Sequence, residues 1–410
     1  MGNEISSALQ EDDDDIIMLA WWWCHCTKKE KFFFSRNRKA FFNALPQDLK
    51  TRLCMKMRRH FVALPPLSPW HKLFLSGDDA ALITTTGFDH KGFSWLLWNF
   101  EEVYDNTTAL GKYDYIICPK QKKMGRPRLL DATDCLGLTL MWTRTRGPIW
   151  VLGFIFGLTS SPMDRYIQFG RRVLYHVLRN QTTIRPIMPT KDEFNSFVSS
   201  IGEKYPRLAQ EKVYCAMDGV KLYLQQAGDA KIQERFYNGW RHDHYVTNVF
   251  MFTPDGMIRL MVINLPGDTH DSTAAHYGFF YDKLEDFFKK YGGKCVVDSA
   301  FSLMRRPYLL KSSRTDATSE DAYGMMLNVE ATSLRQMAEW GMRGFQGSFP
   351  RMKDRLVYEE DGERKRIIQL TVMLYNARSR LVGINQIKNV FYPNLIKENH
   401  LYQEILMQDE

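Results

Sequence analysis

The rhythm of hydrophobic positions changes about halfway along the chain. Through residues 88–179 apolar side chains recur three or four apart: Phe93, Leu96, Leu97 and Phe100, then Leu136, Leu140 and Trp142. That spacing lines one face of an α-helix and predicts a helical region. Residues 181–200, with Pro186 and Pro189 in a polar stretch, read as a connector. Beyond it the period shortens. Residues 213–224 alternate apolar and polar side chains around Asp218, as a half-buried strand does. Residues 245–252 and 257–263 are apolar runs joined by Pro254-Asp255-Gly256, which predicts a hairpin. Residues 272–290 predict a helix, 294–297 and 308–310 short strands, and 318–345 a long helix with Gly324 as a weak point. The plan is a mixed α/β domain preceded by an all-helical one. The expected divisions are an accessory N-terminal segment (1–77), a helical domain (78–190), a catalytic α/β domain (200–390) and a tail (391–410).

Within the helical part, residues 149–176 have the outline of a helix-turn-helix. An apolar helix ends near Gly157, where a residue without Cβ can turn the chain. Ser161 is placed to cap a second helix, Pro162 suits its first position, and Asp164 favours the positive helix end. Ile167, Val173, Leu174 and Val177 then face the core. Met163, Arg165, Tyr166 and Gln168 include the groove-facing set, with Arg171 and Arg172 available for phosphates. A plain helical hairpin fits the same pattern equally well.

Charge narrows the choice of partner. The 410 residues carry 55 Lys and Arg against 47 Asp and Glu, a formal net charge of +8, which suits an anionic partner such as nucleic acid. Part of the excess lies in the loop 120–128, with Lys122, Lys123, Arg126 and Arg128; its Gly125-Arg126-Pro127 resembles the core of a minor-groove AT-hook, and a basic interdomain loop is the plainer reading. A second mixture of cations and aromatics, as nucleic-acid surfaces use, holds Arg235, Tyr237, Trp240 and Arg241, and Arg343 adds a further cation for DNA near the candidate site. The N-terminal segment runs from acidic residues through Trp21-Trp22-Trp23 to a basic, aromatic stretch that reads as a solvated face or a nuclear address. Its apolar run 16–26 is too short to span a bilayer and follows acidic residues, so neither a signal peptide nor a membrane helix is expected. Seven cysteines without framework spacing point to a reduced, intracellular location.

Three carboxylates carry the chemistry. Asp218 lies within a predicted strand and Asp298 ends another, and a carboxylate among residues that want burial is costly unless it is paired or holds a metal. Glu339 sits on a helix surface otherwise lined by Leu334, Ala338, Met342 and Phe345; it can also pair with Arg335 or Arg343, four residues away on either side. Asp271 is placed to cap the following helix. An all-oxygen, multiply negative set suits Mg²⁺ or Mn²⁺ better than zinc. Two such ions, with Asp218 bridging them and Asp298 and Glu339 each holding one, fit phosphodiester cleavage.

The same residues carry a family resemblance. Phe236-Tyr237-Asn238-Gly239-Trp240, the run 264–272 (Asn-Leu-Pro-Gly-Asp-Thr-His-Asp-Ser), Val297-Asp298-Ser299-Ala300-Phe301, Ala338-Glu339-Trp340-Gly341-Met342-Arg343 and Leu374-Tyr375-Asn376 resemble the DDE superfamily endonucleases of the PIF/Harbinger transposase group. The likeness runs from about Phe88 to Asn389 and does not reach the first 75 residues; around Glu339, tryptophan and glycine replace a more common Arg-Ala pattern. The resemblance implies an RNase H-like catalytic fold, a triad of Asp218, Asp298 and Glu339, two divalent metals, and cleavage with strand transfer on duplex DNA in the nucleus. It also implies a separate Myb-like DNA-binding partner. A domesticated DNA-binding protein that keeps the fold without the chemistry is the alternative, and a homo-oligomer is left open.

Overall fold

The computed structural model describes residues 62–107, 128–226, 229–239, 242–311, 322–357 and 361–392. The first 61 residues, including Trp21–Trp23 and the apolar run 16–26, lie outside the described residues, as do most of the basic loop and the tail beyond 392.

The chain enters through a set of helices: α1 (Pro69–Leu75), α2 (Asp79–Thr86), α3 (His90–Asn106), α4 (Ala132–Arg144), α5 (Trp150–Phe156) and α6 (Ser160–Asn180). Their starts follow from short polar side chains. The carboxylates of Asp78, Asp89 and Asp131 each accept a backbone N–H in the first turn of α2, α3 and α4, meeting donors that have no intrahelical partner. The turn between α5 and α6 falls at Gly157, whose φ of 68° is open to a residue without Cβ. The second helix starts two residues earlier than expected: Thr159 occupies the cap position without a side-chain bond, and Ser161 and Pro162 lie inside the first turn.

The expected connector is half helix. Residues 191–202 form α7 (Lys191–Gly202), opened by a capping box in which the Thr190 hydroxyl accepts from the Glu193 N–H and the Glu193 carboxylate accepts from the Thr190 N–H. After the short α8 (Pro206–Gln210) come β1 (Val213–Tyr223), α9 (Ala230–Phe236), β2 (Tyr237–Asn238), β3 (Asp243–Phe252) and β4 (Ile258–Pro266). The predicted single helix over 272–290 is two, α10 (Asp271–Tyr277) and α11 (Phe280–Tyr291). It breaks because Phe279 adopts a left-handed backbone (φ 54°) beside Gly278. Then follow β5 (Lys294–Val297), β6 (Leu309–Lys311), the long α12 (Ala322–Ser348), α13 (Asp361–Leu381) and α14 (Gln386–Phe391).

In space the long strands run β4-β3-β1-β5-β6; β1, β3 and β4 pair antiparallel, and β5 and β6 join parallel to β1. The short β2 pairs with the start of β3. A mixed sheet of this order, wrapped by helices, fits an RNase H-like domain. Side-chain alternation splits the core between the two faces. Ala216, Val220, Leu222, Phe250 and Phe252 pack with α12, α13 and the N-terminal helices; Cys215, Met217, Val249, Met251 and Val297 pack with α7, α10 and α11. The first of these clusters is continuous from Trp70 through the sheet to Phe391, so packing marks no break near residue 190. Two polar ties secure it. Asn376 on α13 accepts from the Ile258 N–H and donates to the carbonyls of Ile184 and Ile258. Arg259, 3% exposed, donates to Glu193 and Asp255 at 2.8 and 2.6 Å. Cys135, Cys215 and Cys295 are buried and free, and among the described residues no helix is long and apolar enough to cross a membrane.

Candidate active site

The carboxylates meet where the parallel part of the sheet ends. Strand β5 pairs with β1 up to Met217 and Val297. The next residue on each strand is an aspartate, so Asp218 and Asp298 follow side by side at the point where β5 stops and β1 continues. Each is held in the same way. The Gly219 N–H donates to Asp218 Oδ1 (2.7 Å) and the Ser299 N–H donates to Asp298 Oδ1 (2.6 Å), which leaves Oδ2 of each outside these bonds.

Alternation along β1 puts Asp218 on the face of Ala216, Val220 and Leu222, the face covered by α12. Helix α12 brings Glu339 to that face, anchored by Leu334, Ala338, Met342 and Phe345, all buried as the apolar stripe predicted. One turn earlier, Arg335 donates to Glu339 at 2.8 Å and stands 4.0 Å from Asp298. Of the two partners the sequence allowed Glu339, the structure shows Arg335.

Gly219 faces the other way, and there the structure departs from expectation. Asp271 does not cap α10; His270 holds that position, and Asp271 is the first helical residue. Its carboxyl packs on Gly219 so closely that a Cβ there would lie 2.3 Å from it, so only glycine fits. A glycine inside a strand was the signal available for this approach. Burial pushes the Asp218 carboxyl up from 3.8 to about 6; Asp298 and Asp271 add to the rise, while the Gly219 N–H and Arg335 oppose it.

Brought together, Asp218, Asp298 and Glu339 would form a hard oxygen donor set, chemically suited to a divalent cation. Among the described residues no three such side chains are yet gathered around one point, and the Arg335 guanidinium supplies the positive charge instead. An ion at this site therefore requires Arg335 to turn away and the carboxylates to close.

The expected DNA contacts fare unevenly. Arg165, Arg235, Tyr237 and Arg343 are exposed. Met163 is not: at 1% exposure it belongs to the core, because it lies one turn ahead of Ile167 and shares that residue's inward face. Tyr166 accepts the Leu129 N–H at 2.7 Å, and Arg171 pairs with Glu363 at 2.8 Å while stacking on Trp142. Arg172 is half-buried. Arg128 is a clasp: it lies over the Tyr104 and Phe169 rings and donates to the carbonyls of Tyr104 and Thr107. Lys122, Lys123, Arg126, Trp240 and Arg241 lie outside the described residues.

No curated protein and no solved structure matches the chain. Residues 217–376, which hold Asp218, Asp271, Asp298 and Glu339, match the family described as DDE superfamily endonuclease, and that similarity supports a transposase-like nuclease domain acting on DNA.

Proposed function

We propose that the chain is a DNA endonuclease of the PIF/Harbinger transposase type, using Asp218, Asp298 and Glu339 with two divalent ions, Mg²⁺ or Mn²⁺. The observation that carries this reading is the pair of adjacent strand ends. They present two aspartates side by side, each fixed through Oδ1 by the next backbone N–H, opposite a glutamate on α12. When bound, divalent ions supply activation of the attacking oxygen and stabilisation of the leaving one. The chain's own contribution is orientation. Backbone N–H groups set the two aspartates, and Arg335, once released from Glu339, can reach phosphate oxygens with a planar fork of donors. The substrate in this reading is duplex DNA, held by the exposed cations and by a helix-turn-helix at α5–α6, in the nucleus and with a Myb-like partner. The test is cleavage of a labelled duplex with Mg²⁺ or Mn²⁺. Asp218→Asn and Asp298→Asn are expected to lose cleavage while still binding DNA; equal activity in both variants and wild type overturns the assignment.

A domesticated DNA-binding protein without the chemistry is the second reading, and one observation favours it. Arg335 already neutralises Glu339, which lessens the repulsion of DNA phosphates. Calorimetric titration with Mn²⁺ separates the two: a binder takes up no ion in a manner that depends on Asp298.

A further inference from the structure

Two arginines line a cavity on the far side of Glu339. The cavity, about 280 Å³, is bounded by Arg144 at the end of α4, Arg378 on α13, Trp340 and Gly344 on α12, Tyr375, and Gln386 at the start of α14. Arg378 is 9% exposed and Tyr375 3%. Among the described residues neither arginine has an Asp or Glu within ion-pairing distance. Their partners are neutral. Arg144 donates from Nε to the Thr84 carbonyl and from Nη1 to the Ser348 carbonyl. Arg378 donates from Nε to the Gly87 carbonyl and from Nη1 to the Ser348 hydroxyl and the Ile384 carbonyl. Thr84, Gly87 and Ser348 lie at the C-terminal ends of α2 and α12, where the helix dipole is negative. These carbonyls fix both guanidiniums but offset their charge only in part. On each, Nη2 is left for a further acceptor.

Burial lowers the pKa of Arg144 to about 10, and Arg378 adds to that; burial likewise lowers Arg378. Two desolvated like charges held together without a counter-anion are costly, and an anion in the cavity relieves both. The position of the cavity indicates which anion. Trp340 follows Glu339 directly, and Gly344 is five residues on, about 7–8 Å of helix rise. The cavity opens about 140° around the helix from Glu339, so a strand whose reacting phosphate sits at Glu339 brings a neighbouring phosphate to it by crossing over α12. Gly344 and Gly347, three residues apart, leave the helix face that borders the cavity bare of side chains at these two positions, so a nucleic-acid backbone can approach closely.

We propose that the Arg144–Arg378 cavity is a phosphate-binding subsite for the DNA strand engaged at Glu339. The assignment to DNA rests on the nuclease reading; the assignment to a phosphate group does not.

Replacing Arg378 puts the fold at risk, since it ties together α2, α12 and the segment after α13. Gln386→Glu avoids this. Gln386 is exposed at the first position of α14, where a carboxylate suits the helix N-terminus, yet it lines the cavity and places a negative charge there. Inorganic pyrophosphate titrated in EDTA is expected to bind the wild type and to bind Gln386→Glu about tenfold more weakly or worse. A short fluorescein-labelled duplex, followed by anisotropy in EDTA across a salt series, is expected to bind the variant more weakly, with its log–log salt slope smaller by about one. Gln226→Glu, the same charge change at an exposed position outside the cavity, controls for net charge. Pyrophosphate bound equally by wild type and Gln386→Glu, or not bound by the wild type, overturns the subsite whether or not the protein cleaves DNA. Pyrophosphate lost with duplex binding unchanged overturns the assignment to DNA and leaves a small-anion site. Cleavage by the wild type, measured separately with Mg²⁺, judges the nuclease reading on its own.

Discussion

Nη2 of Arg335 lies 2.8 Å from Oε1 of Glu339, one turn along α12, while its Nη1 lies 4.0 Å from Oδ1 of Asp298. A guanidinium thus stands at the site where the proposed chemistry calls for a metal cation. Cations that share one set of carboxylates compete, so Arg335→Gln is expected to bind Mn²⁺ more tightly, by about threefold to tenfold. Both partners are partly solvated, which limits the effect. The same variant in EDTA is expected to lose up to about 1 kcal/mol of stability, since Glu339 then loses its ion pair and Asp298 a neighbouring cation. Calorimetric Mn²⁺ titration paired with denaturant unfolding reads both. Unchanged affinity would mean that Arg335 and the ion do not share the site.

Asp218 gives a pH dependence with a definite sign. Its carboxyl, raised mainly by burial to about 6 from 3.8, holds its proton more tightly folded than unfolded. Its contribution to stability is therefore complete below the unfolded value and is lost as pH rises from about 4 through 6. The loss is about 1–3 kcal/mol, with the lower end favoured because the side chain is only half-buried. In EDTA at pH 8, Asp218→Asn is expected to be more stable than wild type, and the difference is expected to vanish near pH 4. An Asn variant less stable than wild type at pH 8 would contradict the assignment of burial as the dominant cause.

Gly219 and Asp271 form a lock that a single methyl breaks. A Cβ at residue 219 would sit 2.3 Å from the Asp271 carboxyl, so Gly219→Ala must push the start of α10 aside. The expected cost is about 1–3 kcal/mol. Asp271→Ala removes the obstructing group, and the double variant is expected to recover part of the loss. Additive single losses in a double-mutant cycle would show that the two residues do not press on each other.

Arg259→Met tests a buried network instead of the site. Burial raises the Asp255 carboxyl, but Arg259 and the bonds from the Thr253 hydroxyl and Met257 N–H outweigh it, leaving Asp255 below its ordinary value. Without the guanidinium this carboxylate loses its counter-charge, at a cost of about 3 kcal/mol near neutral pH. A depressed acid stabilises the fold above its unfolded pKa and stops doing so as pH falls through its folded value. The deficit of the Met variant is therefore expected to shrink on acidification, which urea unfolding at several pH values reads directly.

How much of this was legible differs from residue to residue. The strands other than the two-residue β2, the Pro254-Asp255-Gly256 hairpin and the apolar face of α12 follow from period and turn chemistry alone. Asp218 and Asp298 stand out because a charge in an apolar strand needs a reason. Other features depend on neighbours far away in the chain. Met163 has the polar surroundings of an exposed position, but it stands one turn ahead of Ile167, on the face that packs inward. Arg128 and Arg171 sit in basic stretches, yet aromatic rings from remote helices claim both, with carbonyls holding the first and the Glu363 carboxylate the second. The break at Phe279 leaves little trace in an otherwise regular helical period. Asp271 was misplaced because capping is a local rule, whereas its contact with Gly219 comes from across the sheet. The capping box at Thr190 and Glu193, by contrast, is written in the sequence, but the polar, proline-bearing stretch around it has the composition of a connector.

The hydrophobic core that runs unbroken from Trp70 to Phe391 has a consequence for how such a chain can change over time. The helices ahead of the sheet are not an attachment that can be exchanged while the carboxylates stay in register. The inner faces of α3 and α6 form part of the bed on which α13 lies, and α13 packs on α12, so loosening α6 alters the seating of Glu339 from a distance. Drift in the helical half should therefore be constrained on its inward side by chemistry it never touches, while its outward side remains free to vary.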